Sequence, residues 1–197
     1  PMGGKVFKMI PVETYRGCPF QCTYCNSPMQ LTFSRKNNLG NFLRRKKMDV
    51  LRNELCTLRN LFNPEFFMFI DDSFLARPQK EVFEFCDMYK EFRLPFFINT
   101  RPENCTSGNL DRLKEVGCYR ISAAIESGNE DYRIKVLRRY GTNKDMVRWF
   151  NTVTNSRIAY TINLIIGFPG ETREMVMNTV ELVRAIDGYD TLTVSVF

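Results

Sequence analysis

Six short apolar runs separated by stretches of helical periodicity constrain this chain more than any other feature. The runs cover 7–13, 66–70, 96–99, 120–125, 160–166 and 191–197; each is four to seven residues long and rich in β-branched or aromatic side chains, as strands are. Between them, Val82, Phe85, Cys86 and Tyr89 recur at helical spacing over 79–92, and Leu110, Leu113 and Val116 do so over 109–116, with Gly117 as the stop. Val176, Val180, Val183 and Ile186 repeat the pattern over 173–186, and 48–61 and 130–154 are also helical, the latter broken at Gly141. Strand and helix alternating in this way predict parallel strands joined by helical crossovers, with helices covering an apolar sheet. Pro11, inside the first run, suits only an edge strand or a strand end, which favours a barrel that is not closed.

The bulk numbers agree with a folded domain. Of 197 residues, 44% are hydrophobic and 25% charged, which excludes disordered and collagen-like chains. No run approaches the roughly 18 to 20 apolar residues of a membrane-spanning helix, and PMGGKVFKMIPVET lacks a signal peptide's apolar centre, so a cytoplasmic protein is expected. No linker, repeat or low-complexity tract divides 1–197, so one domain is expected, and the start at Pro1 is compatible with a fragment of a longer chain. The excess of 28 basic over 22 acidic residues is modest, and the run Arg44, Arg45, Lys46, Lys47 reads first as a solvated loop or helix start, with RNA or another anion as the sharper alternative.

In parallel α/β folds, chemistry collects at the carboxyl ends of the strands. The second run ends in Asp71, Asp72 and Ser73, the third in Asn99, Thr100 and Arg101, and the fourth in Glu126 and Ser127. The fifth ends in the turn Gly167–Gly170 before Glu171. Asn163 sits inside the fifth run, on the side of Thr161 and Ile165. An amide there, and a carboxylate directly after Ile-Ser-Ala-Ala-Ile, are costly without hydrogen-bond partners.

The first run leads into GCPFQCTYCNSP, in which Cys18, Cys22 and Cys25 are spaced C-x3-C-x2-C. Thiolates this close together can grip one compact polynuclear cluster, whereas a zinc site would need a further ligand pair that is not nearby. Three ligands on a four-iron cube leave one iron open, which is the mark of a catalytic rather than a structural site. A structural cluster or zinc site completed by a distant cysteine is the alternative. Cys56, Cys86, Cys105 and Cys118 are scattered singly and read as reduced, buried thiols, although Cys105, just past the third run, could also meet a substrate radical. The chain contains no histidine, so Ser-His-Asp and Cys-His catalysis are excluded within it.

Tyr24 completes a C-x3-C-x-aromatic-C pattern after a first strand, and here the chain resembles the radical S-adenosylmethionine (SAM) enzymes. The similarity is to the subgroup that holds the cobalamin-binding proteins, the methylthiotransferases and the oxygen-independent coproporphyrinogen oxidases. FIDDSF resembles that subgroup's second strand ending, FINTRPE its third, AAIESGNEDYRIKVLRR its fourth strand and helix, NLIIGFPGET its fifth and TLTVSVF its sixth; DDSF, IESG and IIGFPGET lean toward the cobalamin branch.

The resemblance implies an α/β fold, a partial (β/α)6 TIM-like barrel. It implies a 4Fe-4S cluster on Cys18, Cys22 and Cys25, with the free iron chelated by the amino and carboxylate groups of SAM. By position, Tyr24 lies in the cofactor site, Asp72 and Ser73 match the segment that binds the amino group, and Asn99 lies near the methionyl end. Glu126 lies near the ribose or methionyl group, Arg138, twelve residues on, matches the carboxylate-binding arginine, and Asn163 matches a ribose contact. Ile165, Ile166 and Gly167 lie beside the adenine. The implied reaction is reductive cleavage of SAM to a 5′-deoxyadenosyl radical that takes hydrogen from a substrate the sequence does not identify. Cobalamin, bound mainly outside these residues, would add methyl transfer or a rearrangement, and a reductant such as flavodoxin or ferredoxin is implied as partner. Two other readings stand: an RNA-modifying methylthiotransferase-like enzyme, with RRKK as its local support, and a non-catalytic iron–sulfur or electron-transfer module.

Overall fold

The structure, a computed structural model, describes residues 6–197, so Pro1–Lys5 at the head of the N-terminal stretch discussed above lie outside it. Strand β1 (Met9–Val12) is followed by β2 (Tyr15–Arg16), the cysteine loop, α1 (Ser27–Lys36), β3 (Arg44–Arg45) and α2 (Met48–Phe62). Then come β4 (Phe66–Phe69), α3 (Gln79–Tyr89), β5 (Phe96–Thr100), α4 (Ser107–Glu115) and β6 (Cys118–Glu126). The chain finishes with α5 (Glu130–Lys135), α6 (Asn143–Ser156), β7 (Ala159–Ile166), α7 (Arg173–Arg184) and β8 (Thr191–Val196).

All six expected strands are present and form one parallel sheet in the order β1-β4-β5-β6-β7-β8. Because each strand pairs with its neighbour in chain order, the sheet curls in one direction, and it is not closed. This is the partial barrel, with all carboxyl ends on one rim. Pro11 stands opposite Met68 on β1, an edge strand, where its missing N–H costs no second ladder.

The core lies between sheet and helices. Phe67, Phe69, Phe74, Phe85, Tyr89 and Phe96 are fully buried; Phe69 meets Phe85 edge-on with centroids 5.1 Å apart, Tyr89 meets Phe96 edge-on at 4.9 Å, and Phe85 stacks on Tyr89. Burying each such ring contributes roughly 1.5–3 kcal/mol, so this block makes β4, β5 and α3 a rigid wall. Cys86, Cys105 and Cys118 are buried in the same core as free thiols, while Cys56 is half-buried against it. Burial pushes the Cys105 thiol up to about 12.

The helix break at Gly141 is real. Its φ of +108° and the Trp149 ring, 2.5 Å from where a Cβ would stand, leave room only for glycine. Thr142 and Asp145 then form a reciprocal cap that starts α6.

Helix α1 and the short strands β2 and β3 escaped the sequence reading. Helix α1 buries only Ser27 and Ser34, so it has no apolar stripe for periodicity to detect. The β2/β3 pair is antiparallel and only two residues long, with Tyr15 opposite Arg45 and Arg16 opposite Arg44. The RRKK run is therefore divided: Arg44 and Arg45 are strand, and Lys47 caps α2. Among the described residues no helix is long and apolar enough to cross a membrane.

Candidate functional site

A cleft of about 230 Å³ opens at the carboxyl rim of the sheet. Cys18, Cys22 and Cys25 line one side. Asp72, Ser73, Asn99 and Glu126 line it from the ends of three strands and Asn163 from within a fourth, β7, and Tyr24 closes the wall between them. Residues scattered over more than 140 positions of sequence thus converge on one cavity, because every strand in a parallel sheet delivers its end to the same face.

The cysteine loop is fastened to this wall. The Thr23 hydroxyl donates to the Val136 carbonyl (2.8 Å), and the Thr23 N–H donates to that of Leu137 (3.3 Å). The thiols also receive donors: the Ser27 N–H reaches Cys25 Sγ at 3.5 Å, and the Arg101 guanidinium reaches Cys22 Sγ at 3.9 Å while stacking 3.8 Å from the centre of the Phe20 ring. Donors and positive charge at a cluster's sulfurs draw its potential upward.

Glu126 is the most constrained residue of the cleft. It ends β6 in the left-handed region, at φ +69°, just after a register shift that leaves Ile125 unpaired with β7. That backbone costs on the order of 1–3 kcal/mol and re-aims the side chain from the sheet into the cavity. The carboxylate accepts from the Tyr24 hydroxyl at 2.9 Å and lies 3.7 Å from the Arg139 guanidinium. Burial pushes its carboxyl above the ordinary value, and Arg139 partly offsets that shift. The Asn163 amide has the partner its position demands, donating to Ser122 Oγ at 2.6 Å. Partial burial, with Asp71 and Glu13 nearby, also holds the Asp72 carboxyl above its usual range.

Two of the expected groups are not brought to the cleft wall. Arg138 is exposed and does not line the cleft; the guanidinium inside is that of Arg139, only 4% exposed, which donates to the Ala124 carbonyl (2.5 Å) and the Tyr24 hydroxyl (3.3 Å). The cause is backbone: Arg138 adopts φ +53°, and the turn presents the following residue, not Arg138, to the cavity. Ile165, Ile166 and Gly167 are also absent from the lining. Ile165 packs against a small cluster of Tyr132, Leu137 and Phe168, and the Gly167 N–H donates to Glu171 Oε2 at 2.6 Å.

The cleft further includes Phe20, Thr100, Arg101, Ser122, Ala124 and Arg139. Thr100 and Arg101 stood at a polar strand end visible in the sequence; Ser122 and Ala124, within a strand, carried no local signal.

The residues present fit a cluster and a polar ligand beside it. Ser73 Oγ and Thr100 Oγ1 are buried in the cleft wall with no hydrogen-bond partner among the described residues, a cost that a polar group in the cavity would remove. Among the described residues, no three His, Cys, Asp or Glu side chains could hold one metal ion. The three thiols instead share a cavity, as ligands to different irons of one cluster do.

The Radical SAM superfamily pattern matches residues 12–183. An uncharacterized methyltransferase of Pyrococcus horikoshii is 25% identical over 180 residues, 89% of this chain and 37% of that protein. The tRNA-2-methylthio-N(6)-dimethylallyladenosine synthase of Lachnoclostridium phytofermentans is 25% identical over 185 residues, 91% of this chain and 39% of that protein. The chain therefore spans less than two fifths of the length of either relative. Among solved structures, the radical SAM methyltransferase TsrM of Kitasatospora setae, with tryptophan and a SAM analogue bound, superposes with TM-score 0.71 at 17% identity, over 94% of this chain and 36% of that one. Coproporphyrinogen III oxidase of Escherichia coli superposes with TM-score 0.73 at 17% identity, over 97% and 44%. At such identities the superpositions speak for the fold, whereas the family match runs from the end of β1 through α7 and includes the cysteine loop. The chain belongs to the radical SAM superfamily, whose members use a [4Fe-4S] cluster and SAM.

Proposed function

We propose that residues 1–197 act as one catalytic core that binds a [4Fe-4S] cluster and SAM and serves an enzyme of cobalamin-dependent methyl transfer or rearrangement. The observation that carries this reading is the cleft shared by Cys18, Cys22 and Cys25 with polar side chains from four strands. The methyltransferase relative supports methyl transfer, and two solved structures that share this fold, TsrM with cobalamin and a [4Fe-4S] cluster bound and OxsB with aqua-cobalamin and SAM bound, support cobalamin as the second cofactor.

When bound, the cofactors supply reductive carbon–sulfur cleavage and hydrogen-atom abstraction, with methyl transfer where cobalamin takes part. The protein's task is binding, orientation and exclusion of water. The three thiolates hold the cluster. The unpartnered hydroxyls of Ser73 and Thr100, with Asp72, receive an ammonium and its neighbouring groups, and the planar donors of Arg139 receive a carboxylate. Glu126, steadied by Tyr24, and Asn163, steadied by Ser122, accept from ribose hydroxyls, while Asn99 faces the methionyl end. None of these roles needs a histidine. A low-potential flavodoxin or ferredoxin as electron donor and a cytoplasmic setting complete the reading.

Anaerobic reconstitution tests it. The chain should take up about four irons and, with dithionite and SAM, release 5′-deoxyadenosine or methylate a cobalamin partner. Full iron loading without SAM turnover over a range of reductants leaves only an electron-transfer or structural cluster.

The tRNA-modifying relative favours a second reading, RNA modification. Lys46 pairs with Glu54, and Arg45 with Glu81 and Glu84, so Arg44 and Lys47 carry most of that run's free charge. Affinity for tRNA that is indifferent to salt and to loss of the run removes this reading.

A further inference from the structure

The residue before the cleft-lining Asp72 has a different job. Asp71 is 2% exposed and does not line the cleft. Its carboxylate accepts from the Thr14 N–H (2.6 Å), the Thr14 hydroxyl (2.5 Å), the Tyr15 N–H (3.1 Å) and the Arg77 guanidinium (2.5 Å). Arg77 also donates to the Thr14 hydroxyl at 3.1 Å and lies over the Phe74 and Tyr15 rings, 4.3 and 5.3 Å from their centres. The side chains of the Asp71–Arg77 pair are 1% exposed on both sides.

Thr14 and Tyr15 belong to the strip of chain that leads from β1 into Cys18. The same strip is held from the other side: the Thr14 carbonyl accepts from the Lys46 N–H at 3.0 Å, and Tyr15–Arg16 pair with Arg44–Arg45. Gly17, at φ +88°, passes so close to Phe42 that an added Cβ would stand 2.9 Å from its ring. One buried carboxylate at the end of β4 therefore ties the arm carrying the first cysteine to the wall carrying Asp72 and Ser73.

We infer that Asp71 and Arg77 are positioning residues that set the cysteine arm against the Asp72–Ser73 wall and so govern how firmly the cluster is held. The inference rests on the proposed cluster site. Desolvation makes a buried pair of this kind weak as a source of net stability, and apolar side chains of similar volume commonly replace such pairs without loss of fold. What apolar side chains cannot replace is the set of bonds to Thr14 and Tyr15.

The test is the rate at which an iron chelator strips the reconstituted full chain, measured with the thermal midpoint. The double replacement Asp71→Leu with Arg77→Met, which leaves no unpaired buried charge, should still fold, with a midpoint lowered by the unpaired Thr14 and Tyr15 N–H groups, while iron is lost about tenfold faster, the loss typical when groups that orient metal ligands are removed. Thr14→Val removes one hydroxyl from the clamp and leaves the ion pair, so it should shift the stripping rate in the same direction by less. It carries the test alone should the double variant not fold. Stripping rates equal to the parent's in a folded double variant, or in Thr14→Val, overturn the inference. A parent chain that takes up no iron overturns the cluster site itself, a distinct result.

Discussion

Two carboxylate–guanidinium pairs stand near each other on the same rim and differ in almost every physical respect. Asp71–Arg77 ends β4 and is closed: four donors fill the carboxylate, and water reaches neither side chain. Glu126–Arg139 ends β6 and is open: the carboxylate has one hydrogen bond among the described residues, the guanidinium stays 3.7 Å away, the backbone is left-handed, and both side chains face the cleft. A saturated carboxylate has nothing left to offer a ligand and serves architecture. One held in strain with lone pairs to spare is arranged for something that has yet to arrive.

Breaking this contrast should give its largest effect at the closed pair. Asp71→Asn leaves Arg77 buried against a neutral partner and should cost about 3–5 kcal/mol in denaturant unfolding, whereas Glu126→Gln, in a looser pair, should cost no more than about 1 kcal/mol. Equal losses would mean that the two pairs do the same work. For SAM binding to the reconstituted protein the order should reverse. Glu126→Gln and Arg139→Lys should each weaken it about tenfold or more, as loss of a charge-assisted bond does, and Arg138→Ala should leave it unchanged. An effect at Arg138 in place of Arg139 would return the carboxylate contact to the exposed residue.

The pH dependence sharpens the comparison further. The folded Glu126 carboxyl keeps its proton above the ordinary value of 4.5, so its contribution to stability is fully present below that value and falls as pH rises through the raised one. Paired unfolding curves for the parent and Glu126→Gln should show the parent losing ground across that window, and a gap that does not change with pH would count against an ionised, desolvated carboxylate. The smallest effect is chemical: in the iron-free chain at pH 8, iodoacetamide should reach exposed Cys25 and spare Cys105, whose thiol burial pushes up to about 12. Equal labelling of the two would show that the core around Cys105 opens readily.

Much of this was legible in the sequence. The six strands were, because each is a short apolar run rich in β-branched or aromatic side chains, and so were α2, α3, α4 and α7, whose stripes recur at helical spacing. Helix α1 was not, since it buries two serines and no apolar stripe. The cysteine triad was legible because its thiols are neighbours in sequence. Asp71 and Glu126 were alike as carboxylates at strand ends, and nothing local could tell that one meets Thr14, 57 residues away, and the other Tyr24, 102 residues away. Arg138 and Arg139 were adjacent and chemically identical, and a left-handed turn chose between them.

By itself, then, the sequence determined the order of the main strands and most helices, the unclosed parallel sheet and the cysteine loop, since periodicity and motif spacing are short-range properties that chemistry reads directly. The tertiary structure alone decided which carboxylate is sealed and which is exposed to the cleft, and which arginine enters it. Those outcomes depend on where distant donors land and on the sign of φ at single residues, and neither is a property of composition or period.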